Sequence, residues 1–230
     1  YRLGQSYKSQ GKSEEALEAF KEAQGLTLDD KYLGELNREI ANLEKSKEIE
    51  DYWPYVELAN YTLLNTPGPD YAPVINEGYF YFTSSRQATG IYPGTGTPYT
   101  KLFRTRADGN KVDVQNIQAL PEFRNEEGLN QGAIAISPDG NTIIYARGNS
   151  TSNKDLPDVH LFASYFRGGG FTQPIWMPLN EDEFWWNSTP AFSPDGSVLY
   201  FASNRPGGYG GTDLYKATKL ANGDFGNPVN

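Results

Sequence analysis

The tetrapeptide Ser137-Pro138-Asp139-Gly140 recurs as Ser193-Pro194-Asp195-Gly196, 56 residues further on. Proline at the second position and glycine at the fourth suit a type I turn closed by a left-handed glycine, which is a hairpin connection. Apolar stretches flank both copies: residues 133–136 and 142–145 around the first, 190–192 and 198–201 around the second. A degenerate earlier copy runs through residues 71–75, turns at Asn76-Glu77-Gly78 and returns through 79–82. After each hairpin come a long polar loop and a third apolar segment, marked by Leu102-Phe103, Leu161-Phe162 and Leu214-Tyr215. A glycine-bearing turn follows each marker, at 107–110, 167–170 and 221–224, and a fourth segment closes the unit. The markers lie 59 and 53 residues apart. Four antiparallel strands at that period are the pattern of propeller blades. Three four-stranded blades are visible, about 54–120, 121–179 and 180–230. Closed propellers use about 4–8, so the ring in this chain is expected to be incomplete. An isolated 54–230 fragment is then expected to expose a sheet face and to aggregate.

Ahead of these units the chain changes character. Residues 1–52 hold 8 basic and 12 acidic residues and no proline, while all 15 prolines and 20 of the 24 glycines lie beyond. The first part reads as helix and the second as strands punctuated by turns. Trp53-Pro54 is the expected junction, because proline disfavours helix at the residue before it. The fold class is therefore α then all-β: a helical domain over 1–52 and an incomplete propeller over 53–230. Residues 56–63, with Leu58, Tyr61 and Leu63 among polar neighbours, read as an extended strand leading into the propeller. Within the helical part, Leu3, Gly4 and Tyr7 share one helix, Gly11-Lys12-Ser13 makes a turn, and Ala16, Phe20 and Ala23 share a second. Small residues at Gly4 and Ala16 let the helices approach while Tyr7 and Phe20 fill the gap. That spacing resembles a tetratricopeptide (TPR) repeat, though the usual proline after the second helix is missing near Leu28. Leu33, Leu36, Ile40 and Leu43 then step by 3, 4 and 3 along one amphipathic helix over about 30–50, read as a cap on a solenoid. Because a lone repeat cannot bury its own face, earlier repeats are expected ahead of Tyr1. Since Tyr1 falls inside what reads as a helix, a signal peptide or lipid anchor before it is compatible with the pattern.

Composition removes several function classes. With 20 Lys+Arg against 29 Asp+Glu the net charge is −9, which repels phosphate backbones and argues against nucleic-acid binding. The absence of cysteine excludes disulfide scaffolds, Cys-zinc sites, iron–sulfur clusters and cysteine nucleophiles. No run of about 18 apolar residues spans a membrane.

The stretch 193–215, reading SPDGSVLYFASNRPGGYGGTDLY, resembles the WD-like repeat of TolB-type propellers, in the richer form of large envelope proteins of the Bacteroidota. Asp70-Tyr71-Ala72-Pro73-Val74 together with Phe82-Thr83-Ser84-Ser85-Arg86 is similar to a first blade of the same proteins. Behind a TPR segment, this order resembles the N-terminal half of PorE-like, OmpA-family proteins of the type IX secretion system. The resemblance implies a periplasmic, outer-membrane-associated scaffold that contacts other envelope and secretion or gliding proteins. It also implies peptidoglycan binding only through a C-terminal domain that these residues lack.

Candidate chemistry is thin, and neither catalytic, cofactor-binding nor metal-ligating residues are assigned. His160, the single histidine, sits in a strand-like stretch with no Gly-x-Ser-x-Gly elbow anywhere to complete a triad, and reads as structural. The glycine-rich run 207–212 lacks the lysine of a phosphate loop and leads into a strand. Glu181-Asp182-Glu183 reads as a solvated loop, because three consecutive acids cannot all point one way. Asn60-Tyr61-Thr62, Asn149-Ser150-Thr151 and Asn187-Ser188-Thr189 match a glycosylation triplet that often arises by chance. The expected function is a non-enzymatic protein-interaction module. Two alternatives stay open: a hydrolase's propeller cap, or a glycan-binding propeller using Trp176, Trp185 and Trp186 in a shared cleft.

Strand alternation places the short turns of every blade on one face and the long connections 84–100, 121–130, 147–158, 180–187 and 203–212 on the other. The long loops carry Tyr92, Tyr99, Phe123, Phe184, Trp185, Trp186 and Tyr209. Aromatics and arginine are enriched at binding hot spots. The candidate partner-binding residues are therefore Trp185, Trp186 and Tyr209, with Arg86 and Arg205 at the loop bases. The competing reading is that Trp185 and Trp186 only pack a seam between blades.

Overall fold

The computed structural model describes residues 1–26, 30–50, 60–86, 90–109, 111–120, 128–148 and 159–230. Two compact units divide the chain, Tyr1–Asn60 and Tyr61–Asn230. Trp53-Pro54, the junction expected from composition, lies outside the described residues. Among the described residues no helix is long and apolar enough to cross a membrane.

The first unit holds three helices, α1 (Arg2–Ser9), α2 (Ser13–Leu26) and α3 (Asp30–Glu50). Gly11 takes φ +73° between α1 and α2, where any side chain would be strained. A Cβ on Gly4 would stand 2.6 Å from the Phe20 ring, so glycine is what lets α1 and α2 approach. Leu36, Ile40 and Leu43 of α3 close the core on Ala16, Leu17 and Phe20. Ion pairs Lys8–Glu39 and Lys21–Glu44, each 2.6 Å, rim that contact. Leu3, grouped by its spacing with Gly4 and Tyr7, is instead 57% exposed.

The second unit holds three successive antiparallel sheets. The first is formed by β1 (Asp70–Asn76) and β2 (Tyr79–Ser84), then, past a small ribbon of β3 (Ile91–Tyr92) and β4 (Thr97–Pro98), by β5 (Lys101–Asp108), β6 (Lys111–Val112) and β7 (Gln118–Ala119). The second contains β8 (Asn130–Ile136), β9 (Thr142–Gly148), β10 (His160–Arg167), β11 (Gly170–Phe171) and β12 (Ile175–Trp176). The third contains β13 (Asn187–Phe192), β14 (Val198–Ser203) and β15 (Asp213–Thr218).

The expected fourth strand is present but broken. It touches the far end of the third strand, leaves, and returns lower down: Ala107↔Val112 then Phe103↔Ala119, Phe166↔Phe171 then Phe162↔Trp176, Lys219↔Phe225 then Lys216↔Val229. Neighbouring sheets pack face to face in chain order. Tyr81, Leu102 and Leu120 of the first share a core with Ile134, Ile143 and Tyr145 of the second. Ile144, Leu161 and Ala163 of the second share another with Leu199, Phe201 and Tyr215 of the third. This is the arrangement of consecutive blades.

The extended strand expected over 56–63 is not found in its described part. Residues 62–64 form a turn, with the Leu64 amide donating to the Tyr61 carbonyl at 2.8 Å. The reason is packing: the turn buries Leu64 beside Phe82 and Phe103, and leaves Leu63 79% exposed.

Candidate functional site

The first strands β1, β8 and β13 and the second strands β2, β9 and β14 run antiparallel, so each sheet has a hairpin end and a long-loop end. At the hairpin end the chemistry is local. Gly140 and Gly196 both adopt φ +70°, and their amides donate to the carbonyls of Ser137 and Ser193 at 2.8 and 2.9 Å. Ser137 Oγ donates to Asp139 Oδ1 and Ser193 Oγ to Asp195 Oδ1, each at 2.5 Å. The serine oxygens in turn accept the amides of Thr142 and Val198. Hydrogen bonds from Ser193 and Ser197 hold the Asp195 carboxyl down at about 2. The degenerate copy uses a two-residue turn with Glu77 and Gly78 at φ 47° and 75°, the primed type favoured in hairpins.

At the long-loop end every first strand carries the same irregularity. Pairing slips between Tyr71 and Val74, between Gly132 and Ile134, and between Ser188 and Ala191. The extra residues Ala72, Ala133 and Thr189 have φ 52°, 48° and 50°. These are β-bulges at a non-glycine in the left-handed region, a strained state for Thr189 above all, because it is β-branched. All three bulges converge on one hollow of about 490 Å³, lined also by Tyr71, Asn130, Val159, Trp186 and Ser188. The Tyr71 hydroxyl donates to Thr100 Oγ1 at 3.5 Å, and the Thr100 amide donates to Asn130 Oδ1 at 2.9 Å, tying the first long loop to the start of β8. Its described lining holds no Asp, Glu, His, Lys or Arg.

The five candidate residues separate into two groups. Arg205 and Arg86 are committed inside the protein. Arg205 Nε donates to Ser203 Oγ at 3.1 Å, its Nη2 donates to the Leu179 carbonyl at 2.8 Å and to Asn187 Oδ1 at 3.1 Å, and its Nη1 pairs with Glu181 at 3.1 Å. Arg86 repeats this in the first sheet: Nε to Ser84 Oγ at 2.9 Å, and Nη2 to the Leu64 carbonyl and to Asp70 Oδ1. Each guanidinium thus staples the segment before a sheet to the end of its second strand. Burial pulls the Arg205 pKa down while Glu181 opposes it. Desolvation pushes the Asp70 carboxyl up, but hydrogen bonds from Ser84, Thr66 and Arg86 outweigh it and leave it below its ordinary value. The second sheet has Arg147 at the Ser84 and Ser203 position, with its guanidinium 4.2 Å from the Phe162 ring. Neither Arg86 nor Arg205 is displayed for a partner. A repeated Ser-x-Arg after an apolar strand was the signal for this staple.

The aromatic candidates are displayed to different degrees. Trp186 is half-buried against the core between the second and third sheets and lines the hollow. Trp185 is also half-buried, with the Arg205 guanidinium 5.2 Å from its ring. Of the pair, Trp186 packs against the core between two sheets, while Trp185 rests against the Arg205 guanidinium. Tyr209, at the tip of the glycine-rich loop, is 94% exposed. Phe184 is half-exposed, Tyr99 is buried under Tyr92, and Phe123 lies outside the described residues. Trp176 lies tilted against His160, ring centroids 4.3 Å apart, and lines a recess with Tyr165 and Phe225 whose described lining does not include Trp186. His160 opens β10 as a buried strand residue. Among Glu181, Asp182 and Glu183, the first pairs with Arg205 and the second accepts the Phe184 amide.

No family model and no curated protein matches the chain. Solved structures do. TolB from Acinetobacter baumannii aligns at 16% identity and TM-score 0.42 over 71% of this chain and 33% of its own. The putative TolB from Agrobacterium tumefaciens aligns at 15% and 0.37, over 61% and 39%. A thermostable family-43 glycoside hydrolase aligns at 13% and 0.43, over 70% and 54%. The chain thus spans 33% to 54% of the length of these proteins. Likeness at this level assigns neither activity nor ligand.

Proposed function

We propose that the chain is a non-enzymatic protein-interaction module that docks partners on the long-loop face of its sheets. One observation carries this reading: the three strained bulges and the half-buried Trp186 line one hollow, at the long-loop end of the sheets, whose described lining holds no Asp, Glu, His, Lys or Arg. Acid–base catalysis needs a side chain that exchanges protons near the operating pH; the titratable group in the described lining is Tyr71, whose pKa burial raises further. Strain held at non-glycine bulges is concentrated at functional surfaces. The three-helix unit acts as a TPR-like platform of its own, with α3 as the cap. On the residues that resemble PorE-like proteins, the setting is the periplasm, in an outer-membrane-associated complex of secretion or gliding machinery. Anchorage to peptidoglycan falls to a domain outside these residues.

A photo-crosslinking amino acid placed at Tyr209, and in parallel at Asp139 on the hairpin end, tests this in the native cell. A reproducible protein adduct at 209 and none at 139 is the expected result. Adducts only at 139, or hydrolysis of peptide, ester or glycoside substrates by the purified chain, would defeat the reading.

A further inference from the structure

The seam between the first and second sheets and the seam between the second and third follow one plan, so residues that differ between equivalent places are not dictated by that plan. Strand pairing aligns the sheets through Leu102, Leu161 and Leu214, which stand opposite Thr83, Ala146 and Ala202. In this register Arg106 matches Tyr165, and Ala119 matches Trp176, opposite Phe103 and Phe162. Phe171 matches Phe225, opposite Phe166 and Lys219, and Gly170 matches Asp224 beside them. Both phenylalanines pack against the core of their own seam. Around Phe225, however, the second seam has Tyr165, Trp176 and Asp224 where the first has Arg106, Ala119 and Gly170. Packing one sheet on the next therefore requires none of those three residues.

Together with Phe225 they line a recess of about 110 Å³, lined also by the buried Met177 and Leu179. Trp176 keeps 42% of its surface exposed there. The described lining holds one carboxylate, Asp224, and no Lys, Arg or His. Asp224 Oδ2 accepts Asn222 Nδ2 at 2.8 Å, and among the described residues the carboxylate forms no ion pair. Burial raises the Tyr165 pKa, and the Asp224 charge adds to the rise. Arg167, exposed and 5.6 Å from the Tyr165 ring, opposes it from outside the recess. The carboxylate is thus close enough to be felt at the tyrosine hydroxyl.

We propose that this recess binds the side chain of a lysine presented by a partner polypeptide, with the stem against Trp176, Tyr165 and Phe225 and the ammonium on the remaining oxygen of Asp224. Aromatic walls suit an apolar stem, and their faces attract a cation. Sites for whole small molecules run to about 300–1,000 Å³, so this recess has room for one side chain. A net charge of −9 favours cationic partners at long range. Lysine fits better than arginine because one carboxylate oxygen is already engaged by Asn222. A compact ammonium needs a single acceptor, whereas the guanidinium fork is matched by both oxygens of a carboxylate. The recess shares no described lining residue with the hollow at the long-loop end, so the inference stands apart from what that end binds.

The test titrates the native chain with Nα-acetyl-lysine methylamide and, in parallel, with the norleucine analogue, which keeps the stem and lacks the charge. Binding is read from the indole N–H resonance of Trp176, assigned by its loss in Trp176→Phe. Saturable movement of that resonance with the lysine probe is expected, with the norleucine probe weaker by at least about fivefold. Asp224→Asn should remove the difference between the two probes without changing the melting temperature. Equal affinity for both probes in the native chain overturns the proposal, and that comparison needs no variant. A preference for lysine that survives Asp224→Asn, or no movement of Trp176 with either probe, overturns it as well. Tighter binding of the arginine analogue, or of n-butylammonium, would overturn it in favour of a guanidinium or a free amine.

Discussion

The two ends of the sheets are built on different principles. At the hairpin end, Ser193, Asp195, Ser197 and Gly196 satisfy one another within five residues. At the long-loop end, Arg205 draws its partners from Leu179, Glu181 and Asn187, which are 26, 24 and 18 residues away. A local motif folds the same way wherever it occurs, and its two copies here share the serine-to-aspartate bond and the backbone-amide bonds to the serine and aspartate, with Ser197 Oγ adding one more to Asp195 in the second. A staple or bulge forms only once distant segments are in place. The hairpin end is therefore interchangeable between sheets, while the long-loop end can differ from sheet to sheet and can be shaped for a partner.

Removing the staple should give the largest effect. Arg205→Ala leaves Asn187, which is fully buried, and the Leu179 carbonyl without their donor, and leaves Glu181 unpaired. Breaking a buried ionic hydrogen-bond cluster by deleting one partner costs about 3–5 kcal/mol. Because Glu181 is 45% exposed at its side chain, the lower end, about 3 kcal/mol, is expected in chemical denaturation. Arg205→Lys should recover less than half, since one ammonium cannot reach every partner of the planar fork. A loss no larger than that of a turn variant would erase the contrast between the two ends.

Relaxing a bulge should act in the opposite direction. Thr189 is held at φ 50°, and a left-handed L-residue costs about 1–2 kcal/mol. Glycine has no such penalty, although it loses more freedom on folding. Thr189→Gly is therefore expected to raise stability by about 1 kcal/mol and to alter the hollow that Thr189 lines. A destabilised variant would show that packing, not backbone strain, dominates at the bulge.

These two positions also show where the sequence was legible. The Ser-Pro-Asp-Gly repeat, the third-strand markers and the glycine-bearing turns placed the hairpins and three successive sheets, because each signal lies in adjacent residues. The same reading placed Arg86 and Arg205 on a binding surface, because arginine at a loop base has the same local signature whether it faces a partner or a distant carbonyl. The bulges had no signature: Ala72-Pro73, Ala133-Ile134 and Thr189-Pro190 share no residue type that demands positive φ. The turn at 62–64 replaced an expected strand because Leu64 is drawn into the core by Phe82 and Phe103, which lie far along the chain.

Acid titration probes the local end. The Asp195 carboxyl sits at about 2 in the folded chain, below the unfolded value of about 3.9. A depressed folded pKa contributes stability that is complete above the unfolded value and is lost as pH falls from about 4 to about 2. The melting temperature of the native chain should decline over that window, and Asp195→Asn should flatten part of the decline while lowering the melting temperature slightly near neutrality. Asp139, also lowered by its serine, should add to the effect in the double variant. Identical acid profiles for native and double variant would mean that the turns are not held by their carboxylates.

The smallest stability effect is expected at the most exposed aromatic. Tyr209 is 94% exposed on a loop whose glycines supply the bends, and the Gly210 amide is held by Asp213 rather than by the ring. Truncating it should leave stability within about 0.5 kcal/mol. Trp186 differs, because it packs against the core between two sheets, so Trp186→Ala confounds folding with binding. Tyr209→Ala is the cleaner reporter of the long-loop face. Against the partner identified by crosslinking at 209, it should weaken affinity by about 2 kcal/mol if the tyrosine is a hot spot, with an unchanged melting temperature. Unchanged affinity combined with a loss in Trp186→Phe, which keeps most of the packing, would move the contact from the loop tip into the hollow. Unchanged affinity in both would move it off this face, to the three-helix unit.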